Sequence, residues 1–303
     1  GAEASLAKLL ASMDPEAFSH RVVSMLPPGV VAEDVRRAGA SVHSLRIHRG
    51  AVAPLGLPRL LRLLRSDRPH VLQTWLYHAD LLGLVAGGML RIPVAWNIRC
   101  SDMDLSKYSR LTRMVVRSLA LLASRPGAVV TNSRKAVEVH QGLGYADREY
   151  EIIPGGFDTG RYRSDPEARA AVRAELDAVD GDVLVGWIGR DDPMKDLPCL
   201  AAAFNRAAAS HPRLRLVLAG SGLGPDDPAT NLFKDNASRC VFLGPRRDVE
   251  RILAGLDAFA LSSRSEGLPN VVGEAMAAGL PCAVTDAGDT ARLVGDTGRV
   301  APV

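Results

Sequence analysis

Short apolar runs rich in Val, Ile and Leu alternate along the chain with longer segments in which apolar residues recur every three to four positions. The runs predict strands at 21–25, 41–45, 71–74, 94–97, 128–132 and 151–154, then at 183–189, 215–220, 240–244, 258–262 and 282–286, with a last one in GRVAP. Helical periodicity falls between them, at 51–66, 78–91, 105–124, 133–143, 195–210, 247–255 and 270–279. This alternation, running through both halves, predicts an α/β chain with two doubly wound parallel sheets. The PGGFD turn at 154–158 and the polar DPEARAAVRAELDAVDGD after it separate them, which places the domains at 1–160 and 161–303. Ligands of such sheets sit beyond the carboxyl ends of the strands, and two domains facing each other would add a cleft between them.

Composition narrows the chemistry. The 303 residues are 47% apolar, enough for two buried cores. Four scattered cysteines without a CxxC pair and seven histidines without HExxH spacing give no disulfide framework and no metal site, so no metal or cofactor is expected and a reducing, cytoplasmic setting fits. No apolar run reaches the ~18 residues of a spanning helix, and LLGLVAGGML at 81–90 reads as a buried helix. Charge is uneven: residues 1–165 carry 22 Lys/Arg against 15 Asp/Glu, whereas 166–303 carry 15 against 19. The first half therefore suits anionic surfaces. Only 5% of residues are aromatic and no nucleic-acid motif is present, so the positive charge is not read as a nucleic-acid site. The chain opens in the helical pattern GAEASLAKLLASM and stops just after a strand, so it reads as a fragment incomplete at both ends.

The densest chemistry lies in SRSEGLPNVVGEAMAAGLP, residues 263–281, where Glu266 and Glu274 stand eight positions apart. On one continuous helix they would be roughly 80° apart and two turns distant, a poor pair. Proline is favoured in the first helical turn and disfavours helix in the residue before it. The helix therefore starts near Pro269, leaving Glu266 in the entering loop and Glu274 about one turn in. The free backbone N–H groups around Leu268 to Val271, with the positive end of the helix dipole, make an anion site that Gly267 lets a ligand approach. Carboxylates beside an anion repel it, so they suit hydroxyls: Glu274 those of a ribose, Glu266 those of a sugar. The alternative is a capping box, Ser263-x-x-Glu266, with Glu274 a solvated helix residue.

A second constellation, VLVGWIGRDDPMKDLPCLAAAF, runs a buried strand into Gly189 and then offers Arg190 and Lys195 to a diphosphate, or forms an ordinary solvated loop. In the first half, TWLYHADLLG places His78 and Asp80 just beyond a strand end, facing the expected cleft. There His78 orders an acceptor or sugar, or is a capping or buried histidine. Arg59, Arg62 and Arg65, and Lys107, Arg110, Arg113 and Arg117, form basic stripes suited to an anionic membrane or a lipid-diphosphate acceptor, or are plain solvated faces.

With these residues the chain resembles glycosyltransferase family 4. Glu266 and Glu274 match its E-x7-E pattern, Arg190 and Lys195 its diphosphate-binding segment, and the IIPGGFD turn, FLG at 242–244 and the opening GAE at Gly1 also fit. The resemblance implies a GT-B fold and retaining transfer from a nucleotide-sugar, such as a UDP- or GDP-sugar, to a glycan or lipid-linked acceptor in polysaccharide or glycolipid synthesis. It implies catalytic roles for Glu266, Arg190 and Lys195. Donor binding falls to Glu274, to Gly189 and to the backbone of Gly267, Leu268, Pro269 and Asn270, with Gly1, His78 and Arg99 on the acceptor or sugar side. The chain departs from the family where many members carry a histidine: WNIRCSD has Arg99, which hydrogen-bonds but cannot act as a base and whose alternative is a structural ion pair. Gly155 replaces a frequent asparagine and Asp196 a frequent glycine. The family's opening strand and final helices would lie outside the chain. Two rival readings stand beside it: a non-catalytic nucleotide-sugar-binding member, and a glycoside hydrolase pairing Glu266 with Glu274.

Overall fold

The structure, a computed structural model, describes residues 2–47, 56–101 and 105–303, with Lys107 by its backbone alone. Gly1, the expected helix start at 51–55 and the Lys107 side chain lie outside the described residues. The chain divides into two compact units, 1–154 and 155–303.

The first unit runs α1 (Ala2–Ser12), β1 (Arg21–Ser24), α2 (Ala32–Arg37), β2 (Ser41–Ser44), α3 (Leu57–Asp67), β3 (Leu72–Trp75), α4 (Tyr77–Leu90), β4 (Val94–Ile98), α5 (Arg110–Leu122), β5 (Ala128–Thr131), α6 (Arg134–Gly142) and β6 (Glu151–Ile152). Every strand pairing is parallel. The described strands divide into a β1–β2 pair and a four-stranded β3-β4-β5-β6 sheet. Trp96 on β4 and Val129 on β5 are buried against Val115, Val116 and Leu119 of α5. Gly87 lets α4 lie on β4, since a Cβ there would stand 2.3 Å from a Val94 methyl.

Asp80, expected to face a cleft, is buried instead. It is 1% exposed and accepts a 2.5 Å hydrogen bond from the Thr74 hydroxyl, and burial pushes its carboxyl up to about 8. Nearby, the Tyr77 hydroxyl and His140 Nε2 lie 2.9 Å apart while His140 Nδ1 faces the Ala136 carbonyl, a buried polar chain with an apolar body.

The second unit runs α7 (Pro166–Glu175), β7 (Val183–Ile188), α8 (Leu197–Ser210), β8 (Leu214–Ala219), β9 (Cys240–Phe242), α9 (Val249–Gly255), β10 (Ala258–Leu261), α10 (Asn270–Ala277), β11 (Cys282–Thr285), α11 (Thr290–Val294) and β12 (Arg299–Ala301). Its six strands are all parallel in the order β12-β11-β10-β7-β8-β9. The side chains of β8 alternate between two cores. Leu216 and Leu218 join Trp187, Phe204 and Phe233, whereas Val217 and Ala219 join Leu184, Phe259 and Val272. Because β7 has β8 on one side and β10 on the other, the chain leaves the first strand in opposite directions. The loops after β7 and β10 then flank a crevice at the carboxyl ends of the strands.

The polar stretch expected to separate the domains belongs to this unit. Asp165 caps α7 by accepting from the Ala168 amide at 2.9 Å, Pro166 starts the helix, and Val172 is buried against α9. Arg169 and Arg173 bind Asp257 at 2.5 and 3.0 Å. The last four residues of the PGGFD turn join the same unit, where Phe157 seats on α10. A Cβ on Gly273 would meet the Phe157 ring at 2.0 Å. Tyr162, 4% exposed, continues the contact in the core that holds Val272 and Ala275.

Two outcomes follow. Asp80 holds a proton in the folded chain that the unfolded chain has released, so its contribution makes stability fall as pH rises from about 4 to about 8. Asp80→Asn, which keeps the shape without the charge, should flatten that slope by roughly 1 kcal/mol per pH unit in denaturant titrations. Gly273→Ala should destabilise by about 1–3 kcal/mol through overpacking, with Phe157→Leu in the same chain recovering part of the loss in thermal melts.

Candidate functional site

Three segments meet at the crevice between β7 and β10. After β7 the chain passes Gly189 and Arg190 into a short 3-10 turn at Pro193–Lys195, where Asp192 accepts from the Met194 amide at 3.0 Å. Asp196, left-handed at φ 48°, caps α8 by accepting from the Cys199 amide. This tight reversal turns Lys195 toward the neighbouring strand. Its Nζ donates to Glu266 Oε1 at 2.5 Å, and both side chains are mostly buried.

The loop after β10 is held from both sides. Toward β7, Ser262 donates to the Lys195 carbonyl at 2.9 Å, the Arg264 amide to the Met194 carbonyl at 2.8 Å, and Arg264 Nε to Asp196 at 2.6 Å. Toward β11, the Thr285 hydroxyl donates to the Ser263 carbonyl at 2.5 Å and the Asp289 amide to the Gly267 carbonyl at 2.9 Å. Gly288, at φ 64°, fits only without a side chain, because a Cβ would stand 1.9 Å from the Glu266 carbonyl oxygen. The Ser263 hydroxyl donates to Glu266 Oε1 at 2.6 Å. The capping-box alternative therefore falls: no helix begins there, and the serine bonds the carboxylate rather than a backbone amide.

The helix behind this loop begins at Asn270, with Pro269 at the N-cap and no side chain capping it. Its first turn carries no acid, so no carboxylate in that turn offsets the positive end of its dipole. Gly155 of the PGGFD turn lies against this start, where a Cβ would contact the Asn270 side chain at 3.5 Å and Leu268 at 3.8 Å. Glu274 sits one turn in and is 8% exposed, more covered than a solvated helix residue. Tyr162 lies beside it: burial first, then the negative charge of Glu274 and a hydrogen bond to it, push the phenol well above its usual range.

Glu266, Lys195, Gly267 and the helix start thus come together, and Glu274 stands behind them under Tyr162. Arg190 differs: its side chain is exposed and its Nε donates to Asp192 at 2.9 Å on its own loop. Burial works to raise the Asp192 carboxyl, but the Met194 amide and Arg190 hold it below the usual carboxylate range. Tyr162, Ser263, Thr285, Gly288 and Asp289 were not singled out as functional by sequence reasoning. The two signals that could have found them are a lone aromatic in the polar stretch after PGGFD and the position of DAGDT at a strand end.

In the first unit, Arg99 follows β4, donates from Nε to Asn97 at 2.8 Å and lies 4.6 Å from the Trp75 ring centroid. Burial lowers its pKa. Among the described residues it makes a cation–π contact, not the structural ion pair that was the alternative to a sugar-side role. His78 is half-buried in the first turn of α4, does not cap it, and has its pKa lowered by burial. Leu76 just before it holds φ 72° and ψ 155°, a conformation leucine rarely adopts.

Among the described residues no group of three His, Cys, Asp or Glu side chains is placed to hold a metal ion. No described helix is long and apolar enough to cross a membrane.

Comparison with known proteins agrees with this fold. The family model for Glycosyltransferase Family 4 matches residues 1–161, and that for Glycosyl transferases group 1 matches 182–303. A GDP-mannose-dependent alpha-mannosyltransferase of Mycobacterium tuberculosis is 30% identical over 295 residues, covering 91% of this chain and 73% of that protein. A D-inositol 3-phosphate glycosyltransferase of Nocardia farcinica is 32% identical over 54% of this chain, a stretch that spans only 38% of its own length. Among solved structures, Anabaena HepE in complex with UDP and glucose superposes with a TM-score of 0.81 at 21% identity, covering 100% of this chain and 82% of that one. Sucrose-phosphate synthase from Thermosynechococcus elongatus gives 0.77 at 16% identity, covering 100% and 80%. From the two family matches, the M. tuberculosis relative and the shared architecture, the chain belongs to glycosyltransferase family 4 and has the GT-B fold.

Proposed function

We propose that the protein transfers a sugar, with retention, from a nucleotide-sugar to a glycan or lipid-linked acceptor in surface polysaccharide or glycolipid synthesis. The observation that carries this reading is the Lys195–Glu266 pair beside the uncapped start of α10, at the switch point between β7 and β10. A donor diphosphate fits there because a cation and a helix N-terminus both favour negative charge. As the bond from sugar to diphosphate breaks, charge builds on the leaving group. Lys195, with Arg190 swinging from its exposed position, would stabilise that charge where it develops.

Glu266 would accept from hydroxyls of the donor sugar and Glu274 from those of the ribose, with Tyr162 holding the second carboxylate in place. Gly189 and the backbone of Gly267, Leu268, Pro269 and Asn270 would line the phosphate and sugar. The acceptor hydroxyl would approach from the leaving-group side, so no protein nucleophile is needed. Arg99 and His78 would contact the acceptor or sugar. The M. tuberculosis relative is named for GDP-mannose and the Anabaena neighbour was solved with UDP and glucose, so donors of both bases belong in the first panel. The reading assigns the leaving-group charge to protein cations and requires no metal.

A panel of UDP- and GDP-sugars, assayed for transfer and for binding, tests the reading. Glu274→Ala should weaken nucleoside diphosphate binding by about ten- to a hundredfold in calorimetry, the loss expected for a hydrogen-bonded charge. Lys195→Ala should lower kcat by about a hundredfold while moving Tm by only a few degrees. A chelator should leave the rate unchanged. Wild-type donor affinity and rate in both variants would refute the assignment.

A further inference from the structure

Two consecutive serines follow β10, and each is committed to one member of the Lys195–Glu266 pair. Ser262, buried, donates to the Lys195 carbonyl at 2.9 Å. Ser263, 0% exposed, donates to Glu266 Oε1 at 2.6 Å. Lys195 Nζ donates to the same oxygen at 2.5 Å, so Oε1 takes two donors of different kinds. One is a cation on a flexible four-carbon stem, the other a neutral hydroxyl one carbon from the backbone. That backbone is itself held, because the Ser263 carbonyl accepts from the buried Thr285 hydroxyl at 2.5 Å. Gly288 against the Glu266 carbonyl and the Asp289 amide on the Gly267 carbonyl fix the other end of the loop.

The two donors answer differently to a ligand. In the donor-site reading, on which this inference rests, Lys195 serves the leaving diphosphate and Glu266 the sugar. As negative charge grows on the diphosphate it competes with the carboxylate for the ammonium. The bond from Lys195 to Oε1 therefore weakens when the aim of Glu266 matters most. The bond from Ser263 is charge-assisted at the carboxylate end and carries no charge on the donor, so the phosphate does not draw it away. A buried hydroxyl needing only a partner could take a backbone carbonyl, as Ser262 does; Ser263 takes the carboxylate instead.

We propose that Ser263 is a positioning residue, which keeps Glu266 aimed at the hydroxyls of the donor sugar while Lys195 turns to the diphosphate. It acts through Glu266 and not on the substrate itself. Its effect is therefore felt by the sugar half of the donor and not by the nucleotide half.

Calorimetry with UDP-glucose and GDP-mannose, and with UDP and GDP as their sugar-free counterparts, tests this on the wild-type chain, Ser263→Ala and Ser263→Cys. The cysteine keeps the volume but donates weakly. For whichever pair binds, both variants should lose about fivefold in affinity for the nucleotide-sugar and stay within about twofold for the nucleoside diphosphate. Their kcat should fall about tenfold. In a Glu266→Ala chain, adding Ser263→Ala should change nucleotide-sugar affinity by less than about twofold, because the group it positions is gone. Wild-type affinities and kcat in both variants would overturn the proposal. So would equal losses for nucleotide-sugar and diphosphate, the mark of a generally loosened loop, or the full loss persisting in the Glu266→Ala chain. If the wild-type chain binds none of the four ligands, the donor-site reading fails and Ser263 loses its role with it; if it binds and the variants match it, the role of Ser263 alone fails.

Discussion

The ion pair between Lys195 and Glu266 joins two loops that the chain makes 71 residues apart. It can form only because the strand order brings the ends of β7 and β10 together, and the rest of the site depends on it. Partial burial raises the strength of such a pair and also the cost of leaving either charge alone. Ser263 completes one side of the carboxylate, while the backbone bonds from Arg264 to Met194 and from Asp289 to Gly267 keep the loop from drifting. A cation set in this way, close to a helix start, is oriented before any ligand arrives. That pre-organisation is what electrostatic stabilisation of a leaving group requires.

Close backbone approach carries the same constraint into the second layer. Gly288 touches the carbonyl of Glu266, and Gly273 makes room for Phe157, so two positions without side chains fix the height of the loop and of α10. Tyr162 then closes over Glu274. Through Phe157 the GGFD residues therefore pack with α10 inside the second unit, and α7 after them is clamped through Asp257.

Much of this was legible in the chain. Strand and helix alternation located the β-strands because parallel, doubly covered strands read as apolar runs, and Pro269 located the start of α10 to within a residue. Glu266, Lys195 and the helix tip could be paired because strand ends converge in this architecture. Other features were not legible, each for a physical reason. The α7 helix buries little beyond Val172, so its polar sequence looked like a linker. Asp80 hides in the core by keeping its proton and bonding Thr74, which no hydropathy pattern reveals. Arg190 turned to Asp192, because a short loop lets an arginine satisfy itself locally. Glycines such as Gly288 are informative only once the neighbouring backbone is known.

The central claim is that the crevice between the ends of β7 and β10 receives the donor diphosphate. Amide hydrogen exchange with and without a nucleoside diphosphate tests it directly. Protection should concentrate at 266–271 and 190–196. Binding that leaves both segments exchanging at their original rates, with protection elsewhere, would contradict it.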